Sequence, residues 1–141
     1  MKHPLLLVLC ALLPACALFQ RPPHPVYAPP QEAASVTFPM EPLNLEGSVA
    51  VTGTLFVAMQ LAMEDFLPWD LQPPKDASPR DACLYKRESY DMSAAPGFGG
   101  LVFVQIWARP GVCEMGMGPV LDAGAYYAID ALQWRIVAVR H

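Results

Sequence analysis

Apolar and polar residues alternate with period two from Leu101 to Arg109. Val102, Val104, Ile106 and Ala108 make one wholly apolar face, with Gln105 and Arg109 on the other, which predicts a half-buried strand. A helical period precedes it. Leu55, Met59, Met63 and Phe66 fall on one side of a predicted helix over Leu55 to Leu67, with Gln60 and Glu64 on its wet edge. Thr54 is placed to cap that helix and Pro68 to stop it. Methionines at this spacing fill cores more often than they hold cofactors. Leu43 to Val51 alternates briefly and predicts a short strand or extended lead-in, and the proline-rich stretch Pro68 to Arg80 predicts a loop. Beyond it the pattern is β. A strand is expected over Cys83 to Met92, with Leu84, Tyr90 and Met92 on one side, followed by a turn at Ala95-Pro96-Gly97-Phe98-Gly99-Gly100. Ala125 to Asp130 and Trp134 to Arg140 form a second hairpin across Ala131, Leu132 and Gln133. The expected fold class is α+β: one helix packed on a four-stranded antiparallel sheet, over residues 43–141. No long second helical period follows the first.

The front of the chain follows another logic. Lys2 supplies a positive start, Leu5 to Leu13 are an apolar run broken only by Cys10, and Leu13-Pro14-Ala15-Cys16 closes it. Such a run is too short to span a bilayer as a helix, so residues 1–15 are expected to be a removable signal peptide. The quartet resembles the lipobox of bacterial lipoproteins, although Pro14 departs from the small side chain usual there. The resemblance implies cleavage before Cys16, a diacylglycerol thioether on its sulfur (palmitate-like chains) and a third chain on the freed amine. At about 0.8 kcal/mol per buried methylene, several chains anchor where one only visits. Ala17 and Leu18 follow the cysteine, and by the family's sorting pattern this implies the outer membrane, facing the periplasm. The rival is a soluble secreted protein, small-ligand-binding in function, cut at the A-x-A pattern of Ala15-Cys16-Ala17. Residues 16–42 are expected to be a tether. Pro22, Pro23, Pro25, Pro29, Pro30, Pro39 and Pro42 oppose any helix, so a semi-rigid polyproline-like spacer up to roughly 80 Å long is expected. The order of elements in the remainder is similar in outline to cystatin-like, helix-on-curved-sheet domains. That likeness includes no diagnostic motif and licenses no function.

Composition narrows the partners. The chain has 141 residues and a formal charge of −4, with a pI near 5.2. Nucleic acid, whose phosphates need a basic face, is excluded on those numbers. The expected partners are membrane lipid, through acylated Cys16, and an envelope protein. If Cys10 leaves with the signal and Cys16 carries lipid, Cys83 and Cys113 remain as an even pair in an oxidising compartment. Both lie fifteen residues from Phe98, so a hairpin turning there would bring them together. A disulfide between them would contribute about 3–4 kcal/mol in the chain-entropy model.

Candidate chemistry is sparse. Cys113-Glu-Met115-Gly-Met117 spaces a thiol and two thioethers on alternate residues, a soft donor set suited to Cu(I), so a copper carrier is an alternative function. The competing expectation for the same residues is a glycine-rich loop whose thiol is consumed by the disulfide. No cofactor or catalysis is expected. His141 is the one histidine after residue 43, which is a poor basis for a Ser-His or Cys-His system. Glu64 and Asp65 diverge on a helix, and pairing of Asp91 with Glu114 or Asp122 is not demanded by spacing. Gly97-x-Gly99-Gly100 sits between strands and does not form a phosphate loop. The aromatics Trp69, Trp107, Trp134, Tyr126 and Tyr127 remain. Trp107 and Trp134 are expected to share the sheet face opposite the helix. There they would form a binding patch for protein, peptide or lipid, unless they complete the core.

Overall fold

A computed structural model describes residues 25–38, 48–116, 118, 120 and 123–141. The expected signal peptide and Cys16 lie outside the described residues, as do Met117 and Asp122. The chain divides into two units, Met1–Glu46 and Gly47–His141.

In the first unit, residues 25–38 are exposed throughout and contain one helical turn, α1 (Pro30–Ala33). This corrects the expectation that proline would exclude helix from the whole segment. Pro30 takes the first helical position, where its fixed φ suits the turn and its missing N–H would have had no partner. The carbonyl of Pro29 accepts from the N–H groups of Glu32 and Ala33 at 3.0 and 3.1 Å.

In the second unit, α2 (Gly53–Phe66) and α3 (Pro79–Leu84) precede four strands: β1 (Tyr90–Pro96), β2 (Leu101–Ala108), β3 (Gly124–Asp130) and β4 (Arg135–Arg140). The strands form one antiparallel sheet in the order β1-β2-β3-β4. The expected class is therefore found: an α+β unit with one main helix on a four-stranded sheet. Residues 48–52 lead into α2 without a strand. The cap of α2 is Thr52, not Thr54. Thr52 keeps an extended backbone and its Oγ1 accepts from the N–H of Leu55 at 3.4 Å, so Thr54 falls in the first turn. Leu67 N–H closes the last turn on the Met63 carbonyl at 2.9 Å, and Pro68 has no N–H to continue it.

Alternation along the strands builds the core. Val102, Val104 and Ile106 of β2 and Ala125, Tyr127 and Ile129 of β3 are buried together with Ala58, Ala62 and Met63 of α2. Alanine at 58 and 62 presents little bulk, which lets the helix approach the sheet. Tyr127, only 2 % exposed, donates its hydroxyl to Asp65 Oδ2 on α2 at 3.0 Å. Burial, then that carboxylate, push its phenol pKa well above the ordinary value.

The strand expected from Cys83 to Met92 is corrected: β1 starts at Tyr90, and the residues before it are helical. Ser78 caps α3, accepting from Asp81 N–H at 3.1 Å, and Pro79 takes the first helical position. A 3₁₀ turn, Arg87–Ser89, then leads into β1. Side chains fasten this segment down. Buried Ser89 donates its hydroxyl to the Cys83 carbonyl at 2.7 Å, and Tyr90 donates to the Leu84 carbonyl at 2.9 Å. Arg87 donates through Nε to the Leu67 carbonyl at 2.9 Å and pairs with Glu64 at 2.6 Å. Cys83 and Cys113 form a disulfide with their Cα atoms 5.7 Å apart. The pairing Tyr90↔Ala108 carries both cysteines to the same end of the β1–β2 hairpin, just beyond the strands.

At the other hairpin, β4 starts at Arg135 and Trp134 belongs to the turn, with φ of 51°. Asp130 holds this turn. Its Oδ1 accepts from the N–H groups of Leu132 and Gln133 at 2.9 and 3.2 Å, and its Oδ2 meets Arg135 Nε at 3.2 Å. These donors, the Leu132 N–H foremost, hold its carboxyl below the usual range.

Candidate functional site

The residues that alternate with the core set face away from α2, and register sorts them into rows. Cross-strand pairing aligns Ser93, Gln105, Tyr126 and Arg140 in one row across all four strands. The neighbouring row is Ala95, Phe103, Ala128 and Ala138. A polar row thus lies beside an apolar one, about 7 Å apart along the strands. Between them runs an open groove of about 520 Å³, lined from β1 to β4 by both rows. That volume falls in the range of small-ligand sites, about 300–1,000 Å³.

Local chemistry shapes the groove. Three of the four residues of the apolar row are alanines, so its floor is low, while Phe103 and Tyr126 rise from it half exposed at 50 % and 48 %. The Phe103 ring lies over Gly97. A Cβ there would stand 2.5 Å from Phe103 Cε2, so the missing side chain makes room for the ring. Along the polar row, Gln105 Nε2 donates to the Tyr126 hydroxyl oxygen at 2.7 Å, which leaves the hydroxyl proton of Tyr126 free to donate elsewhere. The Arg140 guanidinium lies over the Tyr126 ring, 5.0 Å from its centroid. The positive charge is drawn to the ring face, and the in-plane N–H donors have no acceptor among the described residues.

Arg140 differs from the other arginines of the sheet region. Arg87, Arg109 and Arg135 are paired with Glu64, Asp91 and Asp130 respectively. Arg140 forms no ion pair among the described residues. Among the described residues, the carboxylates of this face, Asp91 and Asp130, are already held by Arg109 at 2.9 Å and by Arg135 at 3.2 Å.

The residues singled out from the sequence end in different places. Trp107 is on the open face, half buried, next to the polar row. Trp134 is not its neighbour. Trp107 pairs with Gly124 at one end of β3, whereas Trp134 sits in the turn beyond the other end, so the expected tryptophan pair does not form. Tyr127 belongs to the core, and Tyr126, the adjacent residue, to the groove. Cys113 is buried and its sulfur is bonded to Cys83, so it offers no thiolate while the bridge stands. Met115 is exposed, and no group of three or more His, Cys, Asp or Glu side chains that could hold a metal occurs among the described residues. The acids considered for catalysis have structural partners: Glu64 with Arg87, Asp65 with Tyr127, Asp91 with Arg109, and Glu114 with the N–H of Gly111 at 2.9 Å. No helix among the described residues is long and apolar enough to cross a membrane.

Phe103, Gln105 and Arg140 were not singled out as site residues beforehand. Alternation puts Phe103, Gln105 and Trp107 on one side of β2, but only the register shows which of them stand beside Tyr126 and Arg140. No family model, curated protein or solved structure matches this chain.

Proposed function

We propose that this chain is a lipid-anchored bacterial envelope protein whose α+β unit binds through the open face of its sheet and carries out no catalysis. The observation that carries the binding reading is the groove between the two rows. Aromatic and apolar side chains stand exposed there beside donors that have no acceptor among the described residues, on a face that those residues leave open. The anchor reading rests on Leu13-Pro14-Ala15-Cys16 and on the apolar run before it. The Ala17-Leu18 pair favours the outer membrane, and the Cys83–Cys113 bridge suits an oxidising compartment such as the periplasm.

Two experiments test the two halves separately. Mass spectrometry of the mature protein is expected to report cleavage before Cys16 and added acyl chains, and Cys16→Ser is expected to move the protein from the membrane to the soluble fraction. Unchanged processing and fractionation would remove the anchor. For the binding face, the full chain bearing Cys16→Ser is titrated with the neutral dye Nile red in the absence of detergent. Dye fluorescence should rise, and Ala138→Phe, which fills the groove from an exposed position, should suppress it. A rise that survives the filled groove would place binding elsewhere.

A further inference from the structure

We infer that the open face is a site for a long-chain carboxylate, with the carboxylate on Arg140 and Tyr126 and the aliphatic chain laid across Ala138, Ala128 and Phe103. The inference rests on the binding reading above and names its ligand.

Four observations converge on that chemistry. The first is charge. Arg140 is the cation of the groove and forms no ion pair among the described residues, while the described carboxylates of the same face, Asp91 and Asp130, are held by Arg109 and Arg135. Arg140 is exposed, and a guanidinium gains most from a planar anion with two oxygens. The second is donor supply. Stacking over Tyr126 uses the face of the guanidinium and leaves its edge, and the Gln105 hydrogen bond occupies the acceptor side of the Tyr126 hydroxyl and leaves its proton. Both spare donors lie at the β3–β4 end of one row, so one carboxylate can accept from both.

The third is the neighbouring row. Beside the donors lie three alanines and Phe103, with no charged side chain among them. A ligand polar throughout would leave that surface uncovered, and an apolar ligand would leave the donors unmet. An amphiphile satisfies both. The fourth is shape. The apolar row crosses four strands, about 14 Å at the usual strand spacing of about 4.8 Å, and the groove is open along its length at about 520 Å³. An extended alkyl chain fits a long, shallow trough with a low floor better than a compact ring does. Phe103 forms its wall, held in place by the space above Gly97.

The test uses the full chain bearing Cys16→Ser, free of detergent, with oleate, oleyl alcohol and Nile red as probes and tryptophan or dye fluorescence as the readout. Oleate should bind more tightly than the alcohol of the same chain length. Arg140→Gln should weaken oleate about five-fold, the upper worth of an exposed ion pair, and weaken the alcohol and Nile red by less. Ala128→Trp should abolish all three, and Ala138→Phe, at an exposed edge position, does the same job should Ala128→Trp fail to fold. Equal binding of acid and alcohol, or an Arg140→Gln variant with unaltered oleate affinity, would overturn the carboxylate assignment. Nile red binding lost on filling the groove, with no oleate binding, would overturn the ligand and keep the binding face. Failure of both probes would remove the ligand and the face together.

Discussion

Tyr126 and Tyr127 are consecutive residues of one strand, and they meet opposite surroundings. Tyr127 points at α2, is 2 % exposed and spends its hydroxyl on Asp65. Tyr126 points away, stands half in water, and spends only the acceptor side of its hydroxyl, on Gln105. The same contrast holds along β2 and β3. Valine, isoleucine and alanine face the helix with their surfaces removed from water, and an aromatic, three alanines and a polar row face outward. One face is committed to stability, so substitutions there should be read in unfolding free energy. The other is largely exposed, so on the proposed reading substitutions there should be read in binding.

The sharpest break of that contrast is Ile129→Ala. The side chain is wholly buried between sheet and helix, and its loss should cost about 4 kcal/mol in urea or guanidinium unfolding. Phe103→Ala on the other face should cost no more than about 1 kcal/mol and abolish Nile red binding. Equal costs would mean that the open face is also core. Next comes the bridge. Replacing Cys83 and Cys113 together by serine should lower stability by about 3–4 kcal/mol and leave dye binding to the surviving folded protein intact, since neither cysteine lines the groove.

The tyrosines themselves sharpen the contrast further. Tyr127→Phe should cost about 1 kcal/mol, a single hydrogen bond, whereas Tyr126→Phe should change stability by less than about 0.5 kcal/mol. Because the Tyr127 phenol is raised above its unfolded value near 10, the neutral form is favoured in the fold. Its contribution is full below about pH 10 and lost as pH climbs above it. Wild type should therefore lose stability in alkali more steeply than Tyr127→Phe. The smallest effect lies at the other end of the scale. Asp130 is held below the usual carboxylate range, so its contribution is present above about pH 4 and fades as pH falls through its folded value. Asp130→Asn should flatten the acid limb of a stability-against-pH profile without altering dye binding.

Much of the fold was legible in the residues, because periodicity carries it. The helical spacing of Leu55, Met59 and Met63 and the alternation of Val102, Val104 and Ile106 each predicted an element of the right kind and the right buried face. The cysteine pair was legible too, from its symmetry about Phe98. What misled was short-range chemistry. Ser78-Pro79-Arg80-Asp81 is a capped helix start, yet the residues after it were expected to be a strand, because six residues are too few to show a helical period. Trp134 was expected in β4, whereas the Asp130 side chain folds the chain into a four-residue turn that includes it. The site was the least legible part. Its residues are dispersed over four strands between Ser93 and Arg140, and only the register, an interaction between distant segments, sets Gln105, Tyr126 and Arg140 side by side.

The most direct measurement is methyl NMR of the full chain bearing Cys16→Ser, labelled with ¹³C at alanine methyls, as oleate is added. Ala95, Ala128 and Ala138 lie in the groove, and Ala58, Ala62 and Ala125 lie in the core, so one residue type reports on both faces at once. The first three methyl signals should move with oleate and saturate, and the other three should stay where they are. Movement of the core methyls, or no movement at all, would contradict the assignment of the open face as the place where this protein meets its ligand.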